Sequence, residues 1–269
     1  MNSYYENHES IKKNKLCPFK LVKSYETTAV PCNWHKNIEM LLIIEGEGNI
    51  QYSTESLKLA ADDIIIINSG ILHRPYSDTG ISYYYLIIDD TFCSENGIDV
   101  IEFTFEKKFR SDETRHKFED IITKMGEYEE CQNPISIVGL RSAVLALLTD
   151  LCTNHAFTSR KNSSQTSASE EYVKRVLEHI NKNYTDSICL ESLAELCGIT
   201  KFHLAREFKK HTGQTVFTYI NTLRCQNAEH CISNGMSVTE AAYASGFDSL
   251  SYFSRTYKKK MGTPPSRTK

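Results

Sequence analysis

The amino-acid sequence predicts an α+β fold, with an N-terminal β-barrel that ends in a helical segment and a C-terminal part that is entirely α-helical. Short β-branched runs separated by turn residues fill the first hundred positions, helical periodicity begins near Glu113, and the last hundred residues contain one helical pattern twice. A polar, Ser-rich stretch over residues 158–170 is typical of a linker. We therefore expect an N-terminal domain over residues 1–157 and a C-terminal domain over residues 171–269.

The N-terminal strands are predicted from short apolar runs rich in β-branched and aromatic residues. Three of these runs are Met40–Ile44, Ile64–Ile67 and Tyr83–Ile88. Turn-forming residues punctuate them, among them Gly46 and Asn68-Ser-Gly70. Regularly spaced strands of this kind indicate a barrel or a sandwich.

The helix predicted over 134–155 is apolar on two faces. One stripe with heptad-like spacing contains Ile137, Leu140, Val144, Leu147 and Leu151, and the other contains Ile135, Val138, Leu145, Leu148 and Cys152. A helix with two apolar faces must bury both. Either both faces lie within the domain, or one lies against the barrel while the heptad-like seam meets a second copy of the chain. We expect the second arrangement and hence a homodimer.

Composition excludes a membrane protein. Hydrophobic residues make up 40% of the chain and charged residues 24%, and no apolar run approaches the roughly 20 residues of a membrane span. The polar N-terminus has no hydrophobic signal core, so we expect a cytoplasmic location. The nine cysteines are scattered without a Cys-x-x-Cys pair, which favours reduced thiols over disulfides or zinc.

The net charge of −3 is divided unequally along the chain. From Glu170 onward there are 14 Lys and Arg against 10 Asp and Glu, whereas the preceding residues contain 17 against 24. A basic C-terminal part beside an acidic N-terminal part fits contact with nucleic acid at one end only.

The repeated C-terminal pattern has the features of a helix-turn-helix motif. Ala194 and Gly198 recur 48 residues later as Ala242 and Gly246, and the basic stretch that starts at Leu204 recurs 49 residues later. The shift in spacing predicts one extra residue in the second turn. The small residue lets two helices touch, and the glycine permits a left-handed turn. Two copies predict two helices that contact two segments of DNA groove.

Candidate DNA contacts follow from the faces of the two predicted recognition helices. Thr200 and Asp248 are predicted to cap them. Arg206 and Arg255 are the candidate base readers, because a guanidinium pairs bidentately with guanine. Tyr252 is expected in the core. The full candidate DNA-binding set is Lys201, Phe202, His203, Arg206, Lys209, Lys210, Arg224, Ser249, Leu250, Ser251, Arg255, Lys258 and Lys259.

The C-terminal part resembles the AraC/XylS family of bacterial transcription regulators. The similarity runs from about Glu171 to Arg267, and the stretch Gly246-Phe-Asp-Ser-Leu-Ser-Tyr-Phe-Ser-Arg-Thr-Tyr-Lys-Lys-Lys-Met-Gly-Thr-Pro-Pro265 looks like the family signature. The resemblance implies a tandem helix-turn-helix domain whose recognition helices enter successive major grooves of double-stranded DNA. It also implies that Arg224 is a structural or phosphate-binding position.

The N-terminal part resembles the cupin fold, a small β-barrel that holds three His and one Glu around a metal. His35, Glu39 and His73 occupy matching positions, whereas Asn33 replaces the first His. We expect no metal here and no other cofactor, and instead side chains that hydrogen-bond one another or an effector. Trp34 and Tyr85 complete the candidate effector-binding set with those three residues.

The sequence therefore indicates a transcription regulator, expected to be an activator, that responds to a small molecule in the N-terminal barrel. Aromatic residues beside His and Glu suit a sugar or another hydroxylated compound. The resemblance adds RNA polymerase as a further partner. No nucleophile and base pair stands out, so we expect no enzymatic activity. The alternative is a metal-dependent cupin enzyme with a DNA-binding tail.

Overall fold

The structure, a computed structural model, describes Ile11 and residues 16–100, 103–131, 133–158 and 167–268. The chain divides into two compact units. Of the described residues, one unit contains those from Ile11 to Val30 and from Trp34 to Thr158, and the other contains Pro31–Asn33 and residues 167–268. The predicted linker falls largely on residues 159–166, which lie outside the described ranges. Its last residues belong to a helix that begins at Ala168 and is capped by the Ser167 side chain, so the helix begins before the predicted domain boundary.

The N-terminal unit is built on a curled antiparallel sheet that forms a half-barrel. Its strands are β1 (Phe19–Ala29), β2 (Ile38–Gly46), β3 (Gly48–Tyr52), β4 (Glu55–Leu59), β5 (Ile64–Ile67), β6 (His73–Ile88) and β8 (Lys108–Phe109), in the order β4-β3-β6-β2-β5-β8 with β1 also paired to β6. β7 (Phe103–Phe105) and β9 (Ala156–Thr158) pair separately. The predicted α+β class is confirmed, with a half-barrel as its N-terminal sheet.

Strand β6 organises the sheet, because it pairs with β1, β2 and β3 along its 16 residues. Side chains alternate between the two faces of each strand. Met40 and Leu42 of β2 therefore join the core on one face. Glu39 lies on the other face, as does Tyr85, which pairs with Leu41 across β2 and β6. This register places Glu39 and Tyr85 on the face away from that core.

Gly46 makes the turn between β2 and β3. Its φ is +86°, and a Cβ at this position would lie 2.5 Å from the carbonyl oxygen of Gly80. Only glycine fits both the left-handed backbone and the close approach.

Helices α1 (Asp90–Glu95), α2 (Asp112–Cys131) and α3 (Pro134–Asn154) complete the N-terminal unit. The heptad-like stripe of α3, from Ile137 to Leu151, is buried in the core of its own unit, so its predicted role as a subunit seam is wrong. Sheet residues such as Met40 lie in the same core and occupy that face. The opposite stripe is exposed at its N-terminal end, where Ile135 is 83% exposed and Val138 64%.

Helix α3 is also long and apolar enough to cross a membrane by length and composition, and no other helix in the described ranges meets that test. The sequence-based expectation that no apolar run approaches a membrane span overlooked this helix. Its apolar stripe packs into the core, as in the central helix of a globular unit, and Asp150 near its C-terminal end accepts a hydrogen bond from Thr114 of α2.

Over the described residues 167–268, the C-terminal unit has six helices and a final 3₁₀ turn at Pro265–Arg267. The helices are α4 (Ala168–Asn183), α5 (Leu190–Cys197), α6 (Lys201–Thr212), α7 (Val216–Ser233), α8 (Val238–Ala244) and α9 (Leu250–Met261). Helices α5 and α6 form one helix-turn-helix, α8 and α9 form the other, and α7 joins them. Phe253 and Tyr257 of α9 pack with Phe247 and Ala242 in the core of the second motif.

No disulfide joins cysteines within the part of the chain that the structure describes. Most of these thiols are buried or half-buried, and burial raises the pKa of Cys93 and Cys225 to about 12 each. Such thiols act as small apolar side chains.

Candidate nucleic-acid interface and sensor site

Residues on both sides of the preceding turn determine where the first recognition helix, α6, begins. Gly198 ends α5 with φ +67°. The Thr200 hydroxyl then accepts a hydrogen bond from the His203 backbone N–H, which confirms the predicted cap. Leu204 and Phe208 are fully buried, whereas Phe202, Arg206, Lys209 and Lys210 are exposed and available to a partner.

The turn before the second recognition helix, α9, contains the extra residue that the repeat spacing predicts. Its cap is Ser249, whose hydroxyl accepts from the Tyr252 backbone N–H at 3.3 Å, so the predicted cap at Asp248 is wrong by one residue. Gly246 has φ +86°, and a Cβ there would lie 2.4 Å from the carbonyl oxygen of Thr185. Helix α8 begins with the predicted capping box, in which Ser237 and Glu240 bond reciprocally.

The candidate DNA-binding residues all lie on the surface of the C-terminal unit. The exposed ones are Phe202, Arg206, Lys209, Lys210, Ser249, Ser251, Arg255, Lys258 and Lys259, and the half-buried ones are Lys201, His203, Arg224 and Leu250. Lysines fill the last turns of α6 and α9, where the helix dipole favours cations. The two helices therefore present equivalent basic faces.

Tyr252 is a surface residue of α9, and its predicted place in the core is wrong. It is 46% exposed, and its hydroxyl accepts a 2.8 Å hydrogen bond from the Asn221 side chain of α7. Tyr252 lines an open groove of about 560 Å³ with residues that include Phe217, Arg255 and Lys259. Sequence patterning missed the groove because an aromatic residue beside Phe253 fits either face of the helix.

Arg224 is engaged by the protein itself. Its Nε donates to the carbonyl oxygen of Tyr184 at 2.7 Å, and a terminal nitrogen donates to that of Asp186 at 2.8 Å. Burial lowers the pKa of Arg224. Of the two roles that the resemblance implies, this arrangement favours the structural one, in which α7 is fastened to the segment after α4.

The two candidate readers differ in their surroundings. Arg206 donates from Nε to the Glu207 carboxylate at 3.2 Å and from a terminal nitrogen to His203 Nδ1 at 2.9 Å. Arg255 donates from Nε to the backbone oxygen of Ser251 at 3.3 Å. Within the described ranges, Arg206 pairs with a carboxylate and Arg255 does not.

Three of the candidate sensor residues, His35, Glu39 and His73, form a buried polar cluster. His35 Nε2 lies 2.8 Å from Glu39 Oε2, and His73 Nε2 lies 3.4 Å from the same oxygen. The two imidazole rings meet edge to face with centroids 5.0 Å apart. Tyr85 is also buried, whereas Trp34 is half-buried. The cupin resemblance thus grouped three side chains, His35, Glu39 and His73, that lie together in the structure.

The electrostatics of this cluster keep Glu39 ionised. Burial alone would raise the pKa of Glu39, but the hydrogen bond with His35 and the nearby imidazole of His73 hold it far below its ordinary range. Burial lowers the pKa of His35. Burial, together with the nearby Glu39 charge, raises the pKa of Tyr85, which therefore keeps its phenolic proton.

The cluster also has the donor set of a three-ligand metal site. His35 Nδ1 lies 3.0 Å from the Asn37 carbonyl oxygen, and His73 Nδ1 lies 2.9 Å from that of Ile71. Ligating histidines commonly donate their second ring N–H in this way. The three inward-facing atoms lie within 4.8 Å of one another. His35, Glu39 and His73 thus fit a divalent cation such as zinc, which would supply positive charge between the imidazoles and the carboxylate.

Comparison with known proteins assigns both units. Residues 21–141 match the AraC-like ligand binding domain, and residues 193–269 match a helix-turn-helix domain. The chain is 23% identical over 266 residues to the HTH-type transcriptional regulator YdeC of Bacillus subtilis. The alignment covers 91% of this chain and 90% of that protein. It is also 23% identical to the Msm operon regulatory protein of Streptococcus mutans, with 86% of this chain and 83% of that protein covered.

Partial and structural matches agree with this assignment. Over 108 residues the chain is 33% identical to the bifunctional transcriptional activator/DNA repair enzyme AdaA of Bacillus subtilis. This alignment covers 40% of this chain and 51% of that protein. Among solved structures, apo ToxT from Vibrio cholerae aligns with a TM-score of 0.50 and 16% identity, covering 92% of this chain and 95% of that one. That likeness is one of fold.

Proposed function

We propose that this chain, which belongs to the AraC family of transcription regulators, reads a specific DNA site through α6 and α9 and adjusts that binding to a small molecule held by its N-terminal unit. The observation that carries the proposal is the equivalence of Arg206 and Arg255. Each is exposed, lies in the second turn of a side-chain-capped helix and is followed by a pair of lysines. A guanidinium at this point of a recognition helix reads guanine in the major groove.

The test of this proposal is selection of binding sites from a random duplex pool with the whole protein. We expect a site with two conserved segments roughly one helical turn apart. Arg206→Ala and Arg255→Ala should each weaken binding by about 1–3 kcal/mol and relax the preference in one segment. A pool that never converges would refute sequence-specific recognition.

We propose that the effector contacts the buried cluster of His35, Glu39 and His73, flanked by Trp34 and Tyr85. Imidazole, carboxylate and phenol groups together hydrogen-bond hydroxyl groups well, so a sugar is the favoured class. Titration calorimetry with a sugar panel tests this class. Binding that is lost in His73→Ala and kept in the matched surface variant His116→Ala would support the assignment. Binding of no sugar would refute the class.

The proposed homodimer uses the exposed end of α3. Ile135 and Val138 lie side by side on the face of α3 that the core leaves uncovered. Sedimentation of Ile135→Lys should show a monomer where the unaltered protein is a dimer. With DNA as its ligand, the chain is proposed to work in the cytoplasm as an activator that contacts RNA polymerase.

A second candidate function is that of a metal-dependent cupin enzyme carrying a DNA-binding tail. The convergence of two imidazoles on one buried carboxylate favours a cation at this point. Metal analysis separates the candidates. Stoichiometric metal that is lost in His35→Ala, together with turnover of a small substrate, would favour the enzyme. Because the full-length relatives are named as transcriptional regulators, we propose the regulator without catalysis.

A further inference from the structure

The open groove between α7 and α9 lies beside the second recognition helix. Tyr252 forms part of its wall and is 46% exposed. Arg255, the candidate base reader of α9, lines the same groove. The groove is therefore continuous with the surface that is proposed to read DNA. Its lining residues are Phe217, Thr218, Asn221, Tyr252, Arg255, Thr256, Lys259 and Lys260.

The charge of the groove favours an anionic occupant. Arg255 and Lys259 are exposed, and among the described residues that line the groove there is no acidic side chain. Clefts lined by one sign of charge attract groups of the other sign. Because Arg255 borders the groove, DNA that contacts Arg255 brings its own phosphates to this position.

The Tyr252 hydroxyl is positioned by helix α7. The Asn221 side-chain nitrogen donates to the hydroxyl oxygen over 2.8 Å. Because Asn221 supplies the proton of that bond, the hydroxyl keeps its own proton for another acceptor. The Tyr252 ring also packs beside Phe247, with centroids 6.1 Å apart. These contacts hold a hydrogen-bond donor at the wall of the groove.

We propose that the groove holds one backbone phosphate of the DNA segment read by α9, with Tyr252 as a hydrogen-bond donor to that phosphate and Asn221 as the residue that positions Tyr252. A phosphate diester offers negative charge and acceptor oxygens, and tyrosine is among the side chains that bond such oxygens. The inference rests on the proposed DNA-reading role of α9. It adds two residues that the sequence-based set of DNA contacts does not contain.

The experiment measures binding of the whole protein to its selected duplex and to a series in which single phosphates are replaced by uncharged methylphosphonates. Tyr252→Phe removes only the hydroxyl. We expect it to weaken binding to the unmodified duplex roughly three- to tenfold and to leave the salt slope unchanged, because no charge is lost. One methylphosphonate in the segment whose preference Arg255→Ala relaxes should weaken binding of the unaltered protein and have much less effect on Tyr252→Phe.

Tyr243→Phe is the matched control, because it removes a hydroxyl from an exposed tyrosine of α8 and should leave affinity unchanged. Asn221→Ala should weaken binding by itself and add little in the Tyr252→Phe background, since the two residues act together. Thermal unfolding of each variant shows whether the fold is retained.

Two results would overturn the inference. One is a Tyr252→Phe variant that binds the selected duplex as tightly as the unaltered protein. The other is a Tyr252→Phe variant that remains as sensitive as the unaltered protein to every methylphosphonate. If the unaltered protein selects no site at all, the proposed function fails instead, so the two failures are distinguishable.

Discussion

Substitution of Gly246 by Ala tests how the second helix-turn-helix is held to the rest of the C-terminal unit. A Cβ at Gly246 would lie 2.4 Å from the Thr185 carbonyl oxygen and 2.8 Å from its carbonyl carbon and Cα, all of which are backbone atoms. Gly198 is the equivalent position in the first motif and an internal control. It also has positive φ, but no atom lies within 4 Å of the Cβ that alanine would add.

The two substitutions separate backbone strain from steric overlap. A left-handed alanine costs about 1–2 kcal/mol, and Gly198→Ala should lose only that amount of unfolding free energy. Gly246→Ala should lose a further 1–3 kcal/mol, roughly, because the contact can be relieved only by moving the backbone of the segment that Arg224 also fastens.

Urea denaturation followed by circular dichroism at 222 nm measures both variants in the whole protein. Trp34, the single tryptophan, belongs to the N-terminal unit, so its fluorescence should change less than the circular dichroism signal in both variants. The difference between the variants should appear as a lower urea midpoint for Gly246→Ala, by about 1 M. Equal midpoints would refute the argument from the Thr185 contact.

Three further predictions follow from individual side chains. Arg224→Met should cost about 2–4 kcal/mol of C-terminal stability by leaving the carbonyls of Tyr184 and Asp186 without their donor, and a loss of DNA affinity at unchanged stability would contradict the structural role. Burial alone would raise the pKa of Asp150, but hydrogen bonds and a nearby lysine lower it. The ionised carboxylate therefore stabilises the fold at pH values above its ordinary pKa of 3.8, and this stabilisation is lost as the pH falls below that value. In thermal unfolding between pH 3 and 7, Asp150→Asn should have a lower unfolding temperature at neutral pH, and that temperature should fall less on acidification than in the unaltered protein. Parallel plots of unfolding temperature against pH for the two proteins would contradict this. Lys209→Ala should weaken binding to all duplexes alike and lower the salt slope by about one, whereas altered base preference would show that Lys209 reads bases.

Local signals explain why the helices of the C-terminal unit were predictable from sequence. The Thr200 side chain bonds the backbone N–H only three residues further along the chain. The capping box that begins at Ser237 has the same spacing. Such contacts depend on neighbouring residues alone. Ser249 and Asp248 are adjacent and equally suited to capping, so the sequence could not choose between them.

Long-range packing explains the errors. Both stripes of α3 are apolar, and the sheet and α2 residues that share its core decide that the stripe containing Leu140 lies inward. Tyr252 lies beside the buried Phe253, and its exposure depends on where α7 places Asn221. In the sensor site, the resemblance to the cupin motif grouped His35, Glu39 and His73 as candidates, but the 3.4 Å distance between His73 and Glu39 depends on how the strands pair.

Hydroxyl-radical footprinting on a selected duplex tests the central claim, that two equivalent helices read two segments of groove. We expect two protected segments on one face of the DNA, roughly one helical turn apart for each copy of the chain. Arg206→Ala should weaken protection of one segment and Arg255→Ala that of the other. A single protected segment, or the same loss from both variants, would contradict the claim.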